Sequence, residues 1–268
     1  MKDKVVIITG GSSGIGKALA EAFGVRGSKI LITGRNKNDL DQAVSELRLK
    51  GIEISGFQAD VSLESDNQKM ATEALRIYSR IDILINNAGI SMRALFEELD
   101  LEIIRKVMEI NFFGAVYATK YCLSEIIKTQ GSVIGISSIA GHRGLPARTG
   151  YSASKFALNG FLETLRTEMW KKNVHVLIAS PGFTSTNIRK RSLTKDGSSQ
   201  ATSPRNEGKE MSAEECAQHI YKATVRRKKI LTLTMQGKLV VFLNKWFPGL
   251  MDRLVYNAMV KEANSPLK

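Results

Sequence analysis

Cysteine occurs only twice in the 268 residues, at Cys122 and Cys216. The two are far apart, match no metal-ligand spacing and fall inside helical patterns. Neither a disulfide nor a metal site is therefore expected; buried thiols in a reducing compartment, the cytoplasm, are. No apolar run approaches the roughly 18 residues of a bilayer span. Met1–Lys4 leads straight into a strand pattern, so no secretory signal is expected. No internal repeat is visible, which argues against a solenoid. Basic charge, by contrast, is plentiful: 39 Lys and Arg stand against 26 Asp and Glu, for a formal net charge of +13. The excess is uneven, with 16 basic and 7 acidic residues in 185–268 but 23 and 19 in 1–184. No nucleic-acid module accompanies it, and the Arg226-Arg227-Lys228-Lys229 quartet closes a helical pattern, where the dipole favours cations. Nucleic acid is not an expected partner. With 43% hydrophobic and 24% charged residues the composition is that of a soluble globular protein.

The first half alternates short buried strands with helical patterns, as one doubly wound parallel sheet does. Val5-Val6-Ile7-Ile8 runs into Thr9-Gly10-Gly11-Ser12-Ser13-Gly14-Ile15-Gly16, and a helix is expected from 17 to 25. Strand, glycine turn and helix form the context in which backbone N–H groups meet a pyrophosphate. The spacing is G-x-x-x-G-x-G, not the G-x-G-x-x-G of the dinucleotide fingerprint. A second strand, 29–33, ends in Thr33-Gly34-Arg35-Asn36. The acidic residue that would bind a ribose 2′-hydroxyl is missing there, and Arg35 offers a guanidinium to a 2′-phosphate, which favours NADP(H) over NAD(H). Strand 53–58 leads to Ala59-Asp60-Val61, where Asp60 either meets an adenine or caps its own loop. Strand 81–85 ends in Asn86-Asn87-Ala88-Gly89, whose small residues let a ligand lie on the backbone and whose Asn side chains can tie loops together. Helices are expected over 39–50, 64–78 and, as one long element, 100–128.

Tyr151-Ser152-Ala153-Ser154-Lys155 stands out among the helical stretches. Four residues apart, Tyr151 and Lys155 share a helix face. An ammonium near a phenol is expected to lower its pKa from about 10 towards neutrality, which suits a general acid–base. Ser138 follows strand 131–136 at the sheet edge where open α/β folds bind ligands. Asn111 sits inside a helical pattern among Ile110, Phe112 and Phe113, where Asn is a poor choice unless its amide bonds something specific. A sixth strand, 174–179, ends in Ser180-Pro181-Gly182.

Together these motifs resemble the short-chain dehydrogenase/reductases in order and spacing, over about residues 4–234. The resemblance implies a Rossmann-type sheet in the order 3-2-1-4-5-6-7 and hydride transfer between NAD(P)(H) and a carbonyl or alcohol. It implies a catalytic tetrad of Asn111, Ser138, Tyr151 and Lys155, in which Tyr151 exchanges the proton and Ser138 holds the carbonyl oxygen. Lys155 would hold the nicotinamide ribose, and Asn111 a water that returns the proton. Cofactor contacts are expected from Gly10, Ser12, Ser13, Gly14, Ile15, Gly16, Arg35, Asp60, Val61, Asn87, Ala88, Gly89, Tyr151, Lys155, Pro181, Gly182, Thr184 and Thr186. Thr184 stands where the family usually has an aliphatic residue. The alternative reading is a non-catalytic NADP(H)-binding regulator, which needs no complete tetrad.

Residues 1–235 are expected to form the NADP(H)-binding and catalytic domain. Within it 183–210 lacks an apolar pattern and reads as a mobile substrate loop. Ser212 and Glu215 read as a capping box for the helix that follows. Residues 236–268 form an amphipathic extension in which Leu250, Met251, Leu254, Val255, Ala258 and Met259 recur at helical spacing. Such a stripe has three possible seats: over its own active site, on another subunit of a homodimer or homotetramer, or on a membrane. Each would put apolar surface near the site, so a hydrophobic, lipid-like or steroid-like substrate is expected.

Overall fold

The computed structural model describes residues 1–203 and 210–268. Among them, seven parallel strands form one sheet in the order β3-β2-β1-β4-β5-β6-β7. These are β1 Val5–Ile8, β2 Lys29–Gly34, β3 Ile54–Gln58, β4 Ile83–Asn86, β5 Ser132–Ile136, β6 His175–Ser180 and β7 Ile230–Thr232. The strands are β-branched and mostly buried on both faces because alternate residues feed two cores. Val6, Ile8, Ile30 and Ile32 pack under α1 (Gly14–Gly24), α2 (Lys37–Arg48) and α7 (Ala213–Val225). Ile7 and Leu31 face the other way, under α3 (Glu64–Tyr78), α5 (Gly114–Lys128) and α6 (Thr149–Glu168). The direction of winding reverses between β1 and β4, which pair directly, and ligands bind at such a switch point.

Two helices depart from the sequence expectation. α1 begins at Gly14 and so takes the last two fingerprint glycines into its first turn. The long helix expected over 100–128 is broken into α4 (Leu101–Met108) and α5 by a π-helical turn, Glu109–Phe113, around Asn111. A π-turn shifts the hydrogen-bond ladder by one residue, and such bulges often mark functional sites. Ser212 caps α7 as expected, its Oγ accepting from Glu215 N at 3.0 Å.

The stretch expected to be mobile has residues 204–209 outside the described residues. Its first part is pinned by backbone bonds: Leu193 N donates to Ser91 O at 2.9 Å, Arg93 N to Leu193 O at 2.8 Å, and Asp100 N to Lys195 O at 3.2 Å. The C-terminal extension forms α8 (Met235–Trp246) and α9 (Pro248–Val260), with Pro248 opening α9 at a position that needs no N–H donor. Met251, Val255 and Met259 of the expected stripe are buried against Leu145, Phe183, Val240, Leu243 and Leu267. The other half of the surface is bare: Leu239, Phe242, Trp246, Phe247, Leu250 and Leu254 are each about half exposed or more. Among the described residues no helix is long and apolar enough to cross a membrane.

Candidate active site

A cavity of about 480 Å³ opens at the C-terminal ends of β1, β4 and β5. One end is made largely of backbone. Gly10 has φ +63°, and a Cβ there would lie 2.9 Å from Ala88 Cα, so the turn closes only with glycine. The N-terminus of α1 has no side-chain cap and no acidic residue in its first turn, which leaves its N–H groups to an anion. Ser12, Ser13, Gly14 and Ile15 line the wall there. Gly16 does not; a Cβ at Gly16 would lie 2.2 Å from Gly10 O, so this glycine packs the helix against the turn. Thr9 Oγ1 accepts from Asn87 N and Ala88 N, both at 3.1 Å. Asn87 Nδ2 donates back to Thr9 O and Gly10 O, both at 2.9 Å. Asn87 thus locks the β4 loop to the glycine turn.

Arg35 is exposed on the same wall. Beside it stand Asn36, whose Oδ1 caps α2 by accepting from Asn38 N and Asp39 N, and Asp39 itself. Asp60 lines the wall with Val61, while its Oδ1 accepts from Ser62 N at 3.0 Å and Ser62 Oγ at 2.7 Å. Its carboxylate therefore caps its own loop. Gly89, Pro181, Gly182, Thr184 and Thr186 complete this part of the cavity. Thr184 is buried, and its Oγ1 donates to Gly182 O at 3.3 Å within its own turn. An uncapped helix N-terminus, a glycine cradle with no room for Cβ and a cation at the β2 end fit a dinucleotide phosphate chain.

Ser138, Tyr151 and Lys155 line the middle of the cavity. Lys155 is buried, its Nζ donating to Ile136 O at 2.9 Å. Loss of water lowers its pKa from 10.5 to about 8. Nζ lies 5.8 Å from the Tyr151 ring centroid. The phenol departs from the sequence expectation: burial pushes its pKa up, while the Ser138 hydroxyl and the Arg148 charge pull it down. Burial outweighs both because taking a phenolate out of water costs more than these neighbours return. The cation that lowers the phenol is Arg148, three residues upstream, and Lys155 is itself discouraged from charging by burial.

Asn111 is brought to the site but not onto its wall. Its Oδ1 accepts from Ile90 N at 2.8 Å, and Nδ2 donates to Ile90 O and Ser154 Oγ, both at 2.9 Å. Both amide hydrogens are in use, so the side chain holds the loop after β4 against α6. That explains an Asn in the π-turn.

The other end of the cavity takes Phe183 and Leu193 from the stretch expected to be a substrate loop, and adds side chains that the sequence reading did not single out. Ile90, Ile110, Leu145, Phe183 and Leu193 give it apolar surface, and Arg93 and Arg148 give it charge. Arg148 lies one helical turn ahead of Tyr151, a spacing that could have been noticed. Nothing in the sequence around Arg93 marks it.

A family model described as short chain dehydrogenase matches residues 4–197. A protein of Mus musculus named dehydrogenase/reductase SDR family member 7B is 35% identical over 271 residues, covering 99% of this chain and 84% of that one. A Dictyostelium discoideum protein named dehydrogenase/reductase SDR family protein 7-like is 35% identical over 274 residues, covering 100% and 84%. Among solved structures, a short chain dehydrogenase/reductase from Burkholderia phymatum in complex with NAD superposes with a TM-score of 0.84 at 22% identity, covering 93% of this chain and 95% of that one. An alcohol dehydrogenase from Thermococcus sibiricus complexed with 5-hydroxy-NADP gives 0.76 at 23% identity, covering 87% and 96%. At those identities the two structures speak to the fold.

Proposed function

The chain belongs to the short-chain dehydrogenase/reductase family, and from that premise we propose that it is an NADP(H)-dependent carbonyl reductase for a hydrophobic, lipid-like or steroid-like substrate. The observation that carries this reading is that all of these groups line one cavity. A phosphate cradle with Arg35, the Ser138, Tyr151 and Lys155 group, and apolar side chains interspersed with Arg93 and Arg148 share its wall. The nicotinamide, when bound, supplies the hydride. Tyr151 donates the proton to the carbonyl oxygen, which Ser138 orients. Lys155 holds the cofactor ribose, and its pKa of about 8 lets it exchange protons near working pH. Arg35 favours NADPH by pairing with the 2′-phosphate, against a neighbouring Asp39 that works the other way. Ser138, Tyr151 and Lys155 on one cavity wall favour catalysis over a purely regulatory NADP(H)-binding role.

The test is loss of NADPH absorbance with aldehydes and ketones of graded size and polarity, repeated with NADH. Tyr151→Phe should lower turnover by ~10²–10⁴ and leave NADPH binding within a few-fold of the wild type. Undiminished turnover in that variant removes Tyr151 from the mechanism. Equal use of NADH removes the phosphate role of Arg35.

The outer face of the α8–α9 hairpin favours a second element of the reading, a peripheral seat on an anionic bilayer. Its exposed Leu239, Phe242, Trp246 and Phe247 are interspersed with exposed Lys238 and Lys245, the pattern of an interfacial helix. The proposed setting is the cytoplasm, with the enzyme drawn to a membrane that holds its substrate and reduced Cys122 and Cys216 inside the fold. Binding to phosphatidylserine vesicles that Trp246→Glu abolishes supports the seat. A stable dimer or tetramer in sedimentation, broken by the same substitution, assigns the face to a second subunit instead.

A further inference from the structure

Glu262 follows α9 and does not line the cavity, yet it touches two residues that do. Its side chain is buried, and Oε2 accepts from Arg148 Nη2 at 2.7 Å and lies 3.6 Å from Arg93 Nη2. The two arginine side chains are themselves nearly sealed, 8% exposed for Arg93 and 12% for Arg148. Arg93 Nη2 also donates to Ala263 O at 2.8 Å, and Arg148 Nη1 reaches Met259 Sδ at 3.2 Å. Among the described residues, the buried Arg93 Nε has no hydrogen-bond partner. Burial holds the Arg93 pKa down, with the Arg148 charge acting in the same direction and the Glu262 charge against it. Arg93 and Arg148 thus both face Glu262 where little water is present to screen them.

We propose that Glu262 determines the charge selectivity of the substrate end: it holds the Arg93 and Arg148 guanidiniums from behind, and so limits how well the cavity takes a ligand carrying an anionic group. The proposal deepens the reading of this cavity as a substrate site. A guanidinium is a planar fork that matches a carboxylate or phosphate with two parallel N–H donors. While Glu262 occupies that fork, it offsets one of the two guanidinium charges. Without it the pair carries two, and the nearest available anion is one that a ligand brings. Selectivity then rests on a residue more than a hundred positions from Tyr151, supplied by the C-terminal extension. A residue that only packed the tail would affect charged and neutral ligands alike.

The experiment compares decanoate with 1-decanol, two probes of equal chain length, by calorimetric titration of the full chain. Glu262→Gln keeps the shape and removes the charge. It should strengthen decanoate relative to decanol by at least about tenfold, the scale of truncating one partner of a buried charge pair. Glu262→Asp keeps the charge and should hold the wild-type ratio to within about threefold. An unchanged ratio in Glu262→Gln, or the same change in both variants, overturns the proposal. Should Glu262→Gln fail to fold, Arg148→Met leaves one cation against the anion and should weaken decanoate relative to decanol by about tenfold; no weakening overturns the proposal equally. The readout is binding without turnover. A failure here therefore leaves the reductase reading standing, and a chain that reduces no carbonyl still reports on Glu262.

Discussion

The two ends of the cavity are built from different material. The cofactor end is backbone: a glycine turn, a helix N-terminus and strand ends, held by Asn87 and Thr9. The substrate end is side chains from three distant places, Arg93 after β4, Arg148 ahead of α6 and Phe183 after β6, with Glu262 behind the arginines. Backbone atoms do not yield to a neighbour, whereas long side chains do. The cofactor end should therefore fail when any atom is added to it, and the substrate end should respond to a change of charge or size by degrees.

Gly16→Ala gives the largest expected effect. In an ordinary helix this change gains up to about 1 kcal/mol. Here the new methyl would meet Gly10 O at 2.2 Å, and Gly10 is itself fixed against Ala88. The loss of stability should exceed the ~1–3 kcal/mol of ordinary overpacking, and NADPH affinity should fall with it. A wild-type melting temperature with intact cofactor binding would show that the turn can move, and the contrast between the two ends would lose its basis.

The same contrast explains what could be read in the sequence. The sheet was legible because buried parallel strands are short β-branched runs, and Val5–Ile8 and His175–Ser180 fall within a residue of where the pattern puts them. The glycine turn and the Tyr151–Lys155 pair were legible as features because each is local, fixed by neighbours within a few residues. Asn111 was legible as an anomaly but not in its role, since its partner Ile90 lies 21 residues away. The direction of the Tyr151 pKa was misread because spacing reports proximity and says nothing of desolvation. Arg93 and Glu262 were invisible: each is an ordinary charged residue until the tail folds back and takes water from both.

Lys155→Met tests the boundary between the ends, with the next largest effect. Folding lowers the Lys155 pKa from 10.5 to about 8, so between those values the unfolded chain binds more protons and stability rises with pH. Below pH 8 the full penalty applies, about 3 kcal/mol by linkage. Removing the ammonium should relieve it, less about 1 kcal/mol for the lost bond to Ile136 O. The cofactor-free variant should therefore be roughly 2 kcal/mol more stable than wild type at pH 7. The advantage should vanish as pH rises from 8 to 10.5 in urea titrations. A variant less stable than wild type at pH 7 would mean that Lys155 is solvated or paired in solution.

Arg35→Asp changes an exposed side chain of the cofactor end and not its backbone, so its effect should be graded. Arg35 is exposed and Asp39 stands on the same wall, so a 2′-phosphate there would be held by a partly screened charge. The ratio of NADPH to NADH affinity should fall by about tenfold, or about 1.4 kcal/mol, with the melting temperature unmoved. A loss of both cofactors together would place Arg35 in the architecture of the turn.

Asp252→Ala should have the smallest effect, and it asks what holds the tail over the substrate end. Arg143 bonds Asp252 on α9 and donates to Asn244 Oδ1 on α8 at 3.0 Å. Asn244 Nδ2 in turn donates to His142 O at 2.9 Å. Asp252 is 70% exposed, so its charge is screened and its share should be at most ~0.2–1 kcal/mol. Beneath it, Met251, Val255 and Met259 are buried on Leu145 and Phe183, and deleting side chains of that kind from a core costs more than an exposed ion pair returns. If the tail is held by its apolar face, Asp252→Ala leaves ligand affinity and proteolytic resistance of the tail unchanged, while Val255→Ala lowers both. If Asp252→Ala alone frees the tail, the ion pair is the fastening, and the substrate end would open with rising salt.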